Sequence, residues 1–209
     1  MSSSSSYVAN LDSRSWMLFV DGENFTIRAQ AVVSQLQSTP FALNPGDESY
    51  FERDCFVWLR GYHAKQRIVD GRPPLHNNAV RSSYYTSVHG DDLKLVSIKD
   101  RLWNIGFSPE VFKKANKEQK AKGVDIALTK DMLSHAFLNN YNTAVLVAGD
   151  GDYVPLIEEV KRLGKCVTVA FFAREGLSPE LKRSADEFYD ITYAFLSSWN
   201  VAYGASITS

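Results

Sequence analysis

Cysteine is scarce: the 209-residue chain has two, Cys55 and Cys166. That excludes a disulfide-stapled scaffold, and no Cys/His spacing resembles a zinc site. Cys166 lies in the apolar run Cys166-Val-Thr-Val-Ala-Phe-Phe172, which reads as a buried strand where a thiol is ordinary core. Long hydrophobic runs are lacking as well. No stretch approaches the roughly 20 apolar residues that a bilayer-spanning helix needs. The serine-rich start, Met1 to Ser6, has no basic segment followed by an apolar core, so it does not read as a secretory signal. These absences predict a cytoplasmic protein with no membrane segment, and a disordered tail over residues 1–15. An excess of one charge is missing too. Lysine and arginine number 23 against 24 aspartates and glutamates, a net charge of −1. The chain therefore lacks the strongly basic balance of many nucleic-acid binders, and any such contact must come from a local patch.

What is present is a normal globular share of hydrophobic residues, 44 %, in a length that suits one domain. The pattern alternates strands and helices. Met17–Val20 reads as a buried strand, and 23–37 as a helix with Ile27, Ala31 and Val32 at helical spacing. Strands are expected at Ser82–Ser87 and Glu110–Lys113, with a helix at Asp92–Asn104 between them. Val124, Leu128, Met132 and Ala136 set a helix over 123–138. Ala144–Ala148 is apolar throughout, as in a central strand buried on both faces. A helix over 152–163 tolerates Pro155 in its first turn and stops at Gly164. The Cys166 strand follows, and Ser178-Pro179 opens a last short helix to about Ala185. Repeated strand–helix–strand units predict an α/β fold: a three-layer sandwich with a mostly parallel sheet between helices.

Two segments interrupt the order. Residues 38–80 form an insertion with four prolines and one expected strand, Phe56–Leu59; a connection so long is usually functional or mobile. Its Trp58, Arg60, Tyr62, Lys65, Arg67, Arg72 and Arg81 mix aromatic and basic groups, a pattern that can hold single strands, although Trp58 and Tyr62 equally suit the core, Trp58 above all. The second segment runs from Lys113 to Lys122, with five lysines against one glutamate. The end of the chain, 193–209, carries Phe195, Leu196, Trp199, Val201 and Tyr203. It is expected to pack on the domain or on a second subunit, so a homodimer is among the expected states.

Parallel sheets bind ligands beyond the carboxyl ends of their strands. Here Asp21-Gly-Glu-Asn24 follows the first strand, and Gly149-Asp150-Gly151-Asp152 follows the Ala144 strand. Asp125 opens the helix that leads into that second strand, so its end faces the same edge. Asp21, Asp125, Asp150 and Asp152 are therefore expected to converge. Like charges that close repel and call for a cation, and an all-oxygen site suits Mg²⁺ or Mn²⁺. The chemistry that uses such a site is phosphoryl transfer. The plainer alternatives are a helix cap at Asp152, a turn at Asp150, and a first-turn acid at Asp125 favoured by the helix dipole.

The chain resembles the NYN family, the LabA-like group within the PIN-like nucleases. The resemblance rests on Phe19-Val-Asp-Gly-Glu-Asn24, Lys122-Gly-Val-Asp-Ile-Ala-Leu128 and Val145-Leu-Val-Ala-Gly-Asp-Gly-Asp-Tyr-Val-Pro-Leu156. Leu163-Gly-Lys-Cys-Val167 and Leu177-Ser-Pro-Glu-Leu-Lys-Arg-Ser-Ala-Asp-Glu-Phe188 extend it, so that it covers 16–192 apart from the insertion. It implies a PIN-like fold, a metal-binding acidic pocket and ribonuclease activity. Asp21, Asp125, Asp150 and Asp152 carry over as the catalytic and metal-binding set, with Asn24 as a polar partner. Ala148 stands where the family usually has Ser.

Thr129, one turn after Asp125, could orient a water, although such a threonine is more often structural. Asp131 and His135 are spaced to pair on a helix surface rather than to bind metal. Lys113, Lys114 and Lys122 lead into Asp125 and are candidates for RNA phosphates against the alternative of a solvated loop. Arg183 is expected to reach the pocket rim. The leading expectation is a metal-dependent endoribonuclease that attacks with water. The alternatives are a non-catalytic module that binds RNA or a protein partner, and a phosphoesterase acting on a small molecule.

Overall fold

The computed structural model describes residues 15–36, 47–70, 75, 78–114 and 123–201. The expected N-terminal tail, the first part of the insertion, Arg72, and Lys117, Lys120 and Lys122 lie outside the described residues. Eight strands and six α-helices occur among them, in the order β1 (Trp16–Asp21), α1 (Gly22–Leu36), β2 (Phe51–Glu52), β3 (Phe56–Val57), β4 (Arg81–His89), α2 (Asp92–Asn104), β5 (Ser108–Lys114), α3 (Val124–Phe137), β6 (Thr143–Val147), α4 (Val154–Arg162), β7 (Cys166–Phe171), α5 (Pro179–Ser184), β8 (Glu187–Asp190) and α6 (Thr192–Ser198). Six strands form one sheet in the order β5-β4-β1-β6-β7-β8, every pairing parallel. This is the expected α/β three-layer sandwich.

Side-chain alternation along β1 divides the interior. Trp16, Leu18 and Val20 enter one core with Phe25, Ala29, Val32 and Val33 of α1, Ile98 and Leu102 of α2, and Phe195 and Leu196 of α6. Met17 and Phe19 enter the other, against Val124, Leu128, Met132 and Ala136 of α3, Ile157 and Val160 of α4, and Leu181 of α5. The helix-period stripe read from α3 is thus its buried face.

Three features depart from the sequence reading. An apolar part of the described insertion is core, while Tyr62, Lys65 and Arg67 are exposed. Phe51, Cys55, Phe56, Val57, Trp58 and Leu59 are buried on the α1 face. The only strand at the expected place is the two-residue Phe56–Val57, paired with Phe51–Glu52. An irregular segment can be buried only if its backbone groups find partners. Polar residues at alternate positions of β4 supply them. Ser82 Oγ donates to Ala64 O at 2.9 Å, the Tyr84 hydroxyl donates to Val57 O at 3.0 Å, and Thr86 Oγ1 donates to Cys55 O. Charged groups of the insertion are engaged as well: Arg60 pairs with the buried Asp47 at 2.8 Å, and Arg67 with Asp70 at 3.4 Å.

The second departure is β8, an edge strand that polar residues disguised. The third is α6. Phe195 and Leu196 pack against their own domain, and the Trp199 indole donates to Trp58 O at 3.0 Å. The end of the chain up to Val201 is therefore tied to the domain. No helix among the described residues is long and apolar enough to cross a membrane.

A candidate metal centre at the switch point

From β1 the chain turns toward β4, and from β6 it turns the other way, toward β7. The crevice between the two diverging loops is the topological switch point, where open parallel sheets bind ligands. Asp21 ends β1 and pairs in register with Tyr85, so its side chain points to the α3 face. Gly22 follows because nothing larger fits: a Cβ there would lie 2.0 Å from the Tyr84 ring. Asn24, in the first turn of α1, fastens the two loops. Its backbone N–H donates to Asp21 Oδ1 at 3.0 Å, and its side-chain Oδ1 accepts from the Gly149 N–H at 3.0 Å. Gly149 also accepts from the Ser178 N–H at 2.8 Å, and a Cβ at Gly149 would lie 2.3 Å from Gly176 O. The loop after β6 is thus clamped from both sides.

The loop continues as a 3-10 turn, Gly151–Tyr153, before α4 begins at Val154. This corrects the expectation of one helix from Asp152. The tighter turn delivers Tyr153 inward. Its ring is 3 % exposed, and its hydroxyl lies 3.0 Å from Asp21 Oδ2 and 3.0 Å from Asp125 Oδ1. Asp125 comes from the first turn of α3, where the helix dipole favours a carboxylate. Carboxylates from β1 and α3 thereby meet on one phenol.

The electrostatics are those of an uncompensated acidic pocket. Burial raises the Asp21 carboxyl to about 7; hydrogen bonds from Asn24 and Tyr153 oppose this, and the negative charges of Asp125 and Glu23 reinforce it. Burial, followed by the two carboxylates, holds the Tyr153 phenol well above its ordinary value. A phenol has one proton, so when Asp21 and Asp125 are both ionised one acceptor meets lone pairs.

The other expected residues lie as follows. Asp150 caps the 3-10 turn by accepting from the Asp152 N–H at 3.1 Å, and Asp152 is exposed at the mouth. Among the described residues, no three Asp, Glu, His or Cys side chains form a ready-made cage for an ion. Thr129 is half-buried on α3. Asp131 accepts from the Tyr85 hydroxyl at 3.1 Å, while His135 turns to Arg81 and Asn140, so these two do not act as a pair. Lys113 holds Asp92 at 2.6 Å. Lys114 is only 10 % exposed and is ion-paired with Glu23, whose other oxygen accepts from Ser87 Oγ at 2.8 Å. Arg183 pairs with Glu180 and lines a shallow concavity with Glu158, Lys161, Arg162 and Ser184, beside the last turn of α4.

Sequence reasoning missed Tyr153 and Glu23. The signal for Tyr153 lay in Gly-Asp-Gly-Asp-Tyr: an aromatic residue in the first turn reads as core by its ring, and only the fold shows that its hydroxyl leaves the core. Glu23 stood inside a quoted motif, but its partners Ser87 and Lys114 come from strands far away in sequence.

The profile of the NYN domain family matches residues 15–192. No curated protein matches the chain. A crystallised protein of unknown function from Vibrio parahaemolyticus is similar in structure, with a TM-score of 0.54 and 22 % identity over 93 % of this chain and 99 % of that one. At that identity the likeness concerns the fold. The chain belongs to the NYN domain family, within the PIN-like nuclease superfamily.

Proposed function

We propose that this chain is a divalent-metal-dependent ribonuclease that hydrolyses RNA phosphodiester bonds at the acidic pocket. The observation that carries the reading is the meeting of Asp21 and Asp125 on the Tyr153 hydroxyl at the switch point. The donors there are all oxygen and negative charge is in excess, which suits Mg²⁺ or Mn²⁺. Two carboxylates are a sufficient protein share, because Mg²⁺ usually keeps several waters and takes one or two carboxylates plus substrate phosphates. When bound, such an ion acidifies a water and offsets charge on the phosphate. The chain's own residues do the remaining work. Asp21 and Asp125 would hold the ion, and Asn24 keeps the two loops together. Asp150 and Asp152 at the mouth supply acceptors for the water shell. Lys113 and the lysines that follow it would meet backbone phosphates, contacts that carry little base preference. Two free cysteines accord with a reducing cytoplasm.

A non-catalytic module that binds RNA or a partner protein is the second reading. It is favoured by the state of the nearest cations, since Lys113 and Lys114 are both ion-paired within the protein. Labelled single-stranded RNA incubated with Mn²⁺, Mg²⁺ or EDTA separates the two. The ribonuclease reading expects metal-dependent cleavage that Asp150→Asn reduces by a factor of roughly 10² to 10³. Wild-type protein that binds RNA and cuts none in either metal would establish the module instead. An Asp125→Asn variant that cuts at full rate would assign the activity elsewhere.

A further inference from the structure

Tyr153 joins two layers of the site. Its ring is buried on the α3 face of the sheet, in the core that holds Phe19, Leu128 and Ile157. The ring cannot swing clear of the pocket without opening that core, so the hydroxyl is a fixed point. Asp125 is different: it stands on the exposed first turn of α3, where a carboxylate has several rotamers open to it. Among the described residues, its hydrogen bond to Tyr153 is the contact that selects one of them. Asp21 is held at Oδ1 by the Asn24 N–H and at Oδ2 by the same phenol.

We propose that Tyr153 is a positioning residue of the acidic pocket: its hydroxyl holds one oxygen each of Asp21 and Asp125 so that their remaining lone pairs converge on a divalent cation. The inference rests on the metal reading above and assigns a task within it to a residue that binds no metal itself. A phenol suits this task because its one proton cannot satisfy both carboxylates, so the pair keeps acceptor capacity for a cation. Removing a group that orients metal ligands typically weakens metal affinity by roughly 10- to 100-fold. If the hydroxyl were incidental to a core ring, its removal would leave affinity unchanged.

The test is a calorimetric titration of the full chain with Mn²⁺, on wild type, Tyr153→Phe and Asp125→Asn, with urea melts in EDTA alongside. Tyr153→Phe keeps the ring, so it is expected to unfold close to wild type and to bind Mn²⁺ roughly 10- to 100-fold more weakly. Wild-type affinity in Tyr153→Phe beside weakened binding in Asp125→Asn overturns the positioning role and leaves the metal reading standing. A wild type that takes up no Mn²⁺, or an Asp125→Asn that binds as tightly as wild type, overturns the metal reading and the positioning role together. Should Tyr153→Phe fail to fold, wild type labelled with ¹³C at the ζ carbon of its ten tyrosines decides the matter. One buried tyrosine resonance is expected to follow a Mg²⁺ titration, and spectra unmoved by Mg²⁺ refute the role.

Discussion

Replacing Asp21 with Asn is expected to stabilise the metal-free protein above neutral pH, an unusual result for a residue in a proposed active site. The Asp21 carboxyl is raised to about 7 from an ordinary value of 3.8, mainly by burial. Below pH 4 the folded and unfolded chains both carry its proton, and the group has no effect on stability. Between 4 and 7 the unfolded chain loses the proton while the folded chain keeps it, so stability falls as pH rises. The slope is ~1.4 kcal/mol per pH unit, and the loss levels off above 7 at roughly 4 kcal/mol, with screening and relaxation reducing it. Asn does not ionise, and its side-chain oxygen can still accept from the Asn24 N–H. Urea melts in EDTA at pH 4.5, 6 and 8 measure the difference between variant and wild type. The variant's advantage should be about 0.5–1 kcal/mol at pH 4.5 and roughly 2–4 kcal/mol at pH 8. Millimolar Mn²⁺ should reverse the ranking at pH 8, because only wild type gains binding free energy. A difference that does not change between pH 4.5 and 8, or a variant less stable than wild type at pH 8 in EDTA, would refute the reasoning. Either would mean that the two hydrogen bonds to the carboxylate outweigh its burial.

Lys114→Met should destabilise the fold by about 1–3 kcal/mol in urea melts, because it strands Glu23 beside the other acids of the pocket. Lys113→Ala should leave the midpoint nearly unchanged, since its partner Asp92 is exposed. Gly149→Ala should cost about 1–3 kcal/mol or more and lower the midpoint clearly, because the new Cβ meets the Gly176 carbonyl at 2.3 Å and a backbone must move. Replacing Lys113, Lys114, Lys117, Lys120 and Lys122 together with Ala should weaken RNA binding and flatten its dependence on salt, measured by fluorescence anisotropy from low to moderate ionic strength. Unaltered binding would direct attention to another face.

What was legible in the sequence follows a physical rule: periodicity is readable where one face is buried by a single regular partner. The α3 stripe Val124, Leu128, Met132, Ala136 packs on the sheet, and its bounds were found within a residue. The apolar strands β6 and β7 were equally plain, being covered on both faces. β8 was not, because Glu187–Asp190 closes the sheet as an edge strand whose residues are only half-buried or exposed. The burial of Phe51 to Leu59 in the insertion was hard to read because it has no period. Aromatic and basic residues at irregular spacing resemble a binding surface. Only β4, whose Ser82, Tyr84 and Thr86 bond its backbone, turns that segment into core.

The acidic site divides in the same manner. That Asp21 and Asp150 stand at strand ends follows from chain order, and the switch point between β1 and β6 then places them at one crevice. Convergence of side chains is a finer matter, because it depends on where a few local bonds turn each carboxylate. Asp150 is turned to its own 3-10 turn by the Asp152 N–H, while Asp125, on a separate helix, is drawn beside Asp21 by Tyr153. The same tight turn causes both effects: it occupies Asp150 as its cap and carries the Tyr153 hydroxyl inward. A cation that needs Asp150 as a direct ligand would therefore have to take it from that cap. Since the competing bond is a single hydrogen bond, worth about 1.5–3 kcal/mol to a charged acceptor, such an exchange lies well within the affinity of a divalent site. Asp150→Asn retains the cap through its side-chain oxygen and loses the charge, so it separates the structural from the metal-binding role. An unchanged melting midpoint in EDTA together with weaker Mn²⁺ binding is the expected pair of results, and an unchanged midpoint with unchanged affinity would restrict Asp150 to capping.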